Sequence, residues 1–406
     1  MKRFGLLGGV LSHSFSPQIH SVYGDYEYKM FLLAPEALEP FFKKKDFDGI
    51  NVTIPYKQAV IPYVTSLSPI ARRLNSVNTI TVAPNGNIYG DNTDYRGFSY
   101  MLKKAKISVT GKKVVVLGSG GSSRTVYAVC EDEGAAEVII VSRGGSINYD
   151  NLNTQSDAEI IINTTPVGMY PNNGRSPVKL DMFSKCEAVA DLIYNPLKSA
   201  LILQAEKLRL NYINGMSMLA AQAKYSSELF TGIPLEDELI ERAVDTVNGI
   251  MQNIVLIGMP GCGKSSIGRV LAKRLGKAFL DSDTMVYNKT GKSAAEIIRS
   301  DGERAFREEE RLAAQNAGKT TGSVIATGGG IVLDERNIDA LKQNGIIVYI
   351  DRNIELLETA DRPLSSGVEA LKKLYDLRNP LYKKHSDFII NGNGSISETA
   401  DLILLK

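Results

Sequence analysis

The chain has 406 residues, 43% of them hydrophobic and 23% charged, with 47 Lys and Arg against 45 Asp and Glu. The resulting net charge of +2 gives no electrostatic footprint for nucleic acid or an anionic membrane, and the composition excludes disordered, collagenous and coiled-coil classes. At roughly 150 residues per domain, the length implies two or three domains.

Met1-Lys2-Arg3 before the apolar run Phe4–Val10 loosely imitates a secretory leader. Gly5, Gly8 and Gly9 interrupt the run and no small-residue cleavage site follows, so a first strand is expected there. Further β-rich runs lie at 49–54, 113–117, 137–141, 159–162, 188–192, 254–257, 323–326 and 346–350. They alternate with helix-length segments, the pattern of a parallel α/β protein. Two of them, 113–117 and 254–257, run directly into Gly-rich turns at Gly118 and Gly258 and then into helical sequence. A helix starting near Pro234 carries Ile240, Val244 and Val247 on one face, and 248–253 reads as a short linker behind it. The expected organisation is an α/β substrate domain over 1–105, completed by helices at 219–247. A Rossmann-like domain over 106–218, the linker, and a P-loop domain with a parallel sheet over 254–406 make up the rest. No run approaches the ~20 apolar residues of a membrane span. Cys130, Cys186 and Cys262, like His13, His20 and His385, are too few and too scattered for a disulfide framework or a zinc site, and His13 and His20 read as structural. A cytoplasmic protein with small-molecule substrates is expected, with no nucleic acid or membrane partner and with its oligomeric state open.

In the first half, Gly118-Ser119-Gly120-Gly121-Ser122-Ser123-Arg124 joins a strand to a helix. A dinucleotide pyrophosphate fits that helix N-terminus, against Gly118, Gly120, Gly121 and Ser122. After the next strand an NAD site places an acid for the ribose 2′-hydroxyl. This chain has Ser142-Arg143 instead, which suits a 2′-phosphate and therefore NADP. Upstream stand Ser12-His13-Ser14-Phe15-Ser16-Pro17, Asn51-Val52-Thr53-Ile54-Pro55-Tyr56-Lys57, Val77-Asn78-Thr79 and Gly90-Asp91-Asn92-Thr93-Asp94. Downstream are Asn163-Thr164-Thr165-Pro166-Val167-Gly168-Met169, 191–196, and Asn214-Gly215-Met216-Ser217-Met218-Leu219 with Gln222. Over residues 1–247 these motifs resemble shikimate dehydrogenase. The resemblance implies Lys57 and Asp94 as the catalytic pair. It implies Ser14, Ser16, Thr53, Asn78 and Gln222 as ligands of the substrate hydroxyls and carboxylate, supported by Tyr194, with Gly215 beside the cofactor. The chemistry agrees: reducing a ketone leaves an alkoxide, and a partly desolvated Lys beside a carboxylate delivers the proton it needs. Two departures from the family pattern are expected to alter cofactor binding. Only 15 residues separate Arg143 from Glu159, where the family places a further helix and strand, and Ser217 replaces a usual Gly.

In the second half, Gly258-Met259-Pro260-Gly261-Cys262-Gly263-Lys264-Ser265 matches G-x-x-x-x-G-K-[ST]. Gly258, Gly261 and Gly263 let backbone N–H groups turn inward around phosphate oxygens, Lys264 neutralises β/γ charge, and Ser265 holds Mg²⁺. Ile267, Val270, Leu271 and Leu275 supply the apolar face of the helix that must follow. Asp281-Ser282-Asp283, Phe306-Arg307-Glu308, Gly328-Gly329-Gly330, Arg362-Pro363-Leu364 and Arg378-Asn379-Pro380-Leu381-Tyr382 extend the pattern. Over 253–392 the chain resembles shikimate kinase. The resemblance implies Asp281 at Mg²⁺ and Asp283 at the shikimate hydroxyls as acceptor of the attacking proton. It implies Arg307 and Arg378 on the carboxylate, Gly329 and Gly330 in the acceptor pocket, and Arg362 facing the phosphates. A planar bidentate donor is what a small carboxylated polyol requires. The stretch 351–361 before Arg362 is shorter than the family's usual nucleotide lid.

The expectation is therefore a bifunctional enzyme. One half reduces 3-dehydroshikimate with NADPH, and the other phosphorylates shikimate with ATP and Mg²⁺. Two alternatives stay open: one half, the shortened first one foremost, acts on quinate or a relative, or it is a non-catalytic regulatory module.

Overall fold

The computed structural model describes residues 2–11, 14–357 and 368–406. Contacts divide the chain into two compact units. One comprises Met1–Met169, Arg175–Tyr194 and Leu201–Asn248; the other comprises Tyr170–Gly174, Asn195–Ala200 and Gly249–Lys406.

The first unit contains two sheets. The N-terminal one is built from β1 (Arg3–Gly8), β2 (Glu27–Leu32), β3 (Gly49–Val52), β4 (Ser66–Leu67), β5 (Thr79–Val82) and β6 (Ile88–Asp91), in the order β2-β1-β3-β5-β6-β4. β1 lies parallel to β2 and β3, while β5 runs antiparallel to both β3 and β6. Its helices are α1 (Ser16–Tyr23), α2 (Leu38–Lys44), α3 (Pro69–Leu74) and α4 (Asp94–Lys104). Leu7, Ile50, Val52 and Ile80 bury one side of the sheet against Phe42 and Phe47.

The second sheet contains β7 (Lys113–Leu117), β8 (Glu137–Val141), β9 (Ile160–Asn163), β10 (Ala188–Asp191) and β11 (Asn211–Asn214). All its pairings are parallel, in the order β11-β10-β9-β7-β8. Val114, Val115, Val116 and Leu117 are all fully buried, as a strand covered on both faces demands. The helices here are α5 (Gly121–Asp132), α6 (Ala200–Lys207), α7 (Met216–Thr231) and α8 (Glu238–Met251). α7 crosses back onto α1 and α4. The crossing is close because position 97 has no side chain: a Cβ on Gly97 would lie 2.9 Å from the Met218 carbonyl oxygen. Between β8 and β9 there is one short helical turn, Leu152–Gln155, so the shortened segment leaves β8 as an edge strand.

The second unit carries β12 (Asn253–Ile257), β13 (Ala278–Asp281), β14 (Ser323–Ala326), β15 (Gly345–Asp351) and β16 (Phe388–Asn391). They are parallel, in the order β13-β14-β12-β15-β16. The helices are α9 (Lys264–Leu275), α10 (Ser282–Thr290), α11 (Ala294–Asp301), α12 (Glu303–Lys319), α13 (Glu335–Lys342), α14 (Val368–His385) and α15 (Ile396–Leu404).

Two sequence expectations need correction. Residues 248–253 are not a loop: α8 runs on to Met251, and β12 begins at Asn253. Met251 is fully buried, and Lys277 caps the helix end by donating to the carbonyls of Gly249 and Gln252 at 2.8 and 2.9 Å. Nor does the whole of 106–218 form one body. Tyr170–Gly174 and Asn195–Ala200 belong to the second unit, where the Leu197 N–H donates to Asn344 Oδ1 and the Lys198 N–H to the Gln343 carbonyl. Among the described residues, no helix is long and apolar enough to cross a membrane.

Candidate active sites

In the first unit, Lys57 follows β3 and Asp94 opens α4. The Lys57 ammonium donates to Asp94 Oδ2 at 2.6 Å, with the side chains 29% and 16% exposed, so the pair is sheltered yet reachable. Asn78, just before β5, donates to the other Asp94 oxygen, Oδ1, at 2.9 Å. Gln222, one turn along α7 from the Gly97 crossing, places Oε1 3.4 Å from the same Asn78 amide. Four residues distant in sequence therefore meet at one point. Ser14 donates to Ser16 at 3.1 Å, and the Phe15 ring between them stands edge-on to Tyr194 at 6.5 Å. Burial holds the Tyr194 phenol above its usual range. Thr53 continues from β3, its N–H bonded to the Leu7 carbonyl, and a Cβ on Gly8 would lie 2.6 Å from its methyl. A ketone or alcohol held here meets one proton donor beside one carboxylate.

The cofactor turn lies at the switch point between β7 and β9. Gly118 has φ of +108°, and a side chain there would strike Thr164 Oγ1 at 2.7 Å. Gly120 and Gly121 open α5, and a Cβ on either would meet nothing within 4 Å. That leaves an uncovered helix N-terminus, which suits a pyrophosphate. The Gly118 N–H donates to the Val141 carbonyl, so the turn adjoins the end of β8, where Ser142 is half-buried and Arg143 exposed. No acid follows β8 directly, so the residues present fit a 2′-phosphate. Gly215 N-caps α7, where a Cβ would collide with the Leu192 carbonyl, and Ser217 is buried in the first turn of that helix.

In the second unit, the loop after the central strand β12 holds Gly258, Gly261 and Gly263 at φ of +147°, +83° and +92°. Glycine adopts such positive φ without steric cost, and a glycine-rich loop leading into a helix N-terminus fits a polyphosphate. Lys264 is 7% exposed and donates to the carbonyls of Gly258 and Met259 at 2.9 and 2.8 Å. Ser265 donates to Asp281 Oδ2 at 2.6 Å. Asp281 Oδ1 caps α10 by accepting from the N–H groups of Asp283 and Thr284. A hydroxyl and a carboxylate beside the phosphate loop are the hard oxygen donors that Mg²⁺ prefers.

The acceptor side is equally assembled. A Cβ on Gly328 would come within 2.7 Å of Asp283 Oδ1, one on Gly329 within 2.6 Å of the Pro260 ring, and one on Gly330 would collide with the Arg307 guanidinium. Arg307 donates to Glu310 Oε2 and Glu303 Oε1, both at 2.8 Å. Glu310 is 1% exposed, and burial raises its pKa against the opposing pull of Arg307. Arg378 is 6% exposed and its Nε makes no hydrogen bond; Glu310 Oε1 makes none either. Tyr382 donates to the Gly329 carbonyl at 2.5 Å, tying α14 to the glycine turn. A buried guanidinium with a donor to spare, close to the glycine turn, fits a small acid. Arg362 lies outside the described residues, as do Ser12 and His13.

Comparison with known proteins decides the family. The NADP⁺-dependent shikimate dehydrogenase of Clostridium perfringens strain 13 is 34% identical over 276 residues, which cover 59% of this chain and 98% of that protein. The chain belongs to the shikimate dehydrogenase family. Residues 6–80 match the shikimate dehydrogenase substrate binding domain, and residues 260–406 match shikimate kinase. A Caldanaerobacter subterraneus shikimate dehydrogenase is 35% identical over 260 residues, covering 57% of this chain and 92% of that one. Among solved structures, a chorismate mutase/shikimate 5-dehydrogenase fusion protein from Clostridium acetobutylicum superposes with a TM-score of 0.57 at 34% identity, covering 61% of this chain and 97% of that one. Shikimate 5-dehydrogenase from Thermus thermophilus, solved with NADP(H) and shikimate, gives a TM-score of 0.54 at 29% identity, with 60% of this chain and 99% of that one covered.

Sequence reading did not assign Glu310, Tyr382, Asn51 or Ser226. Glu310 follows Arg307 at helical spacing i+3, and that spacing was the available signal.

Proposed function

We propose the following division of labour within one bifunctional shikimate-pathway enzyme. The first unit reduces 3-dehydroshikimate to shikimate, and the second phosphorylates shikimate. NADPH supplies the hydride when bound at the turn of Gly118, Gly120, Gly121 and Ser122, with Arg143 at its 2′-phosphate. Lys57 donates the proton to the oxygen that becomes the hydroxyl, and Asp94 holds that ammonium in place. Ser14, Ser16, Thr53, Asn78, Tyr194 and Gln222 orient the ring. In the second unit ATP, with Mg²⁺ at Ser265 and Asp281, supplies the phosphoryl group. Lys264 neutralises phosphate charge, Arg307 and Arg378 hold the shikimate carboxylate against Gly329 and Gly330, and Asp283 orients the attacking hydroxyl and takes its proton. Small-molecule substrates serve both sites. The three free thiols suit a reducing compartment, and we place the protein in the cytoplasm.

The observation that carries this reading is the presence of two residue sets on one chain, each drawn together within its own unit. One centres on the 2.6 Å Lys57–Asp94 contact and the other on the 2.6 Å Ser265–Asp281 contact. Neither the quinate reading nor the regulatory one is favoured by any feature of either set. In the purified chain, Lys57→Ala should abolish shikimate-dependent NADP⁺ reduction and spare ATP-dependent phosphorylation. Lys264→Ala should do the reverse. Loss of both activities in either folded variant would overturn the assignment.

A further inference from the structure

Behind the Lys57–Asp94 pair lies a closed cluster of uncharged polar side chains. Asn51, Asn78, Thr79, Thr93 and Ser226 are each at most 4% exposed. One placement of their protons satisfies every group. Ser226 on α7 donates to the Gln222 carbonyl at 2.9 Å. It accepts from Asn51 Nδ2 at 2.7 Å and from the Thr93 hydroxyl at 3.0 Å. The Thr79 hydroxyl accepts the second Asn51 proton at 3.3 Å and donates to Asn78 Oδ1 at 3.0 Å. Asn78 Oδ1 also accepts the Thr93 N–H at 2.7 Å. Both lone pairs of that oxygen are then occupied, so the NH₂ end of Asn78 must face the other way. Its two protons go to Asp94 Oδ1 at 2.9 Å and to the Thr93 hydroxyl oxygen at 3.0 Å. At the far end Tyr28 donates to Asn51 Oδ1 at 2.8 Å, which fixes the Asn51 amide in turn.

We propose that Ser226 and Thr79 are positioning residues for the dehydrogenase reaction: their hydroxyls hold the Asn78 amide so that it presents N–H, and not oxygen, to Asp94. An inverted Asn78 would set two acceptors against each other and drive the Asp94 carboxylate off Lys57. The substrate never needs to reach either hydroxyl. This rests on the dehydrogenase reading above. A buried polar group that loses its partner costs far more than the average hydrogen bond contributes, so removing one member disturbs the whole cluster.

The test uses the full-length chain and three substitutions, Ser226→Ala, Thr79→Val and Thr79→Ser. Thr79→Val keeps the shape and loses the hydroxyl; Thr79→Ser keeps the hydroxyl. Shikimate oxidation with NADP⁺ is measured at saturation and at low substrate, with the kinase rate of the same sample as the internal reference. Ser226→Ala and Thr79→Val should lower kcat by roughly ten- to a hundredfold, as a displaced catalytic group does. The KM for shikimate should stay within about threefold, and Thr79→Ser should recover most of the loss. If Ser226→Ala melts the first unit, the Thr79 pair decides alone. Equal damage from Thr79→Val and Thr79→Ser, a loss confined to KM, or no loss would each overturn the proposal. An unaltered chain without shikimate oxidation, or one indifferent to Lys57→Ala, would instead overturn the dehydrogenase reading itself.

Discussion

The two active sites solve the same recognition problem differently. Both must hold a small carboxylated polyol, yet the dehydrogenase site is built from neutral hydrogen-bonding groups around one ion pair, whereas the kinase acceptor site is built from buried charge. Around Asp94 every buried polar side chain named above has its partners within the protein. Around the Gly328–Gly330 turn, Arg378 Nε and Glu310 Oε1 have none. The chemistry accounts for the contrast. Proton delivery to an oxygen needs one ammonium at one fixed point, and a satisfied network fixes it. A free carboxylate brings its charge into the acceptor site, and buried guanidinium groups offset it.

That contrast breaks most visibly at Lys57. Lys57→Ala should cost the dehydrogenase about 10²–10⁴-fold in kcat, the usual share of a positioned acid–base group, with the kinase rate unchanged. A comparable fall in both rates would mean that the two sites are not separable. Arg378→Met sharpens the other side. A charge-assisted hydrogen bond is worth ~1.5–3 kcal/mol, so the kinase KM for shikimate should rise roughly 10- to 150-fold. Dehydrogenase KM should not move. An unchanged kinase KM would remove Arg378 from the acceptor pocket.

Much of this was legible in the sequence because glycines, lysines and turns carry their geometry locally. Gly258, Gly261 and Gly263 sit at positive φ as the phosphate-loop spacing requires, and the runs at 113–117 and 137–141 are strands to the residue. The pairing of Lys57 with Asp94 was readable from their motifs, and the two meet at 2.6 Å. Ser226 was not, because its partners Asn51 and Thr93 stand 175 and 133 residues away along the chain. A serine inside a helix announces nothing by itself. The boundary expected at 248–253 falls there, between Asn248 and Gly249, but as helix and not as loop. Polar residues and Gly249 suggest a break, but burial of Met251 and the Lys277 cap override that local preference.

A smaller effect is expected at the cofactor. Arg143 is exposed, so its bond to a 2′-phosphate is partly screened by solvent. Arg143→Asp should shift the ratio of kcat/KM for NADP⁺ over NAD⁺ by about tenfold toward NAD⁺. Equal use of both cofactors by the unaltered chain would place the 2′-phosphate elsewhere.

The smallest effect concerns acid. His20 is 1% exposed, stacked on Tyr28 with centroids 4.0 Å apart, and its Nδ1 meets the Tyr26 hydroxyl at 2.7 Å. Burial lowers its pKa from the usual 6.5 to about 3. The folded ring therefore stays neutral while the unfolded one gains a proton, so stability is lost as pH falls from about 6.5 toward 3 and is untouched above that range. At pH 5.5 the loss is about 1.4 kcal/mol, one pKa unit's worth. For a unit of this size that is roughly 3–5 °C in Tm. In the kinase half burial lowers His385 in the same direction, and the buried ring stack there, Tyr349 on Tyr382 with centroids 5.1 Å apart, holds no imidazole. Heat inactivation of the two activities in one sample, at pH 7.5 and at pH 5.5, should therefore show the dehydrogenase losing more ground than the kinase. His20→Phe keeps the stack and removes the titrating ring. It should narrow that gap by most of the 3–5 °C, and a gap of unchanged width would assign the acid sensitivity to the carboxylates instead.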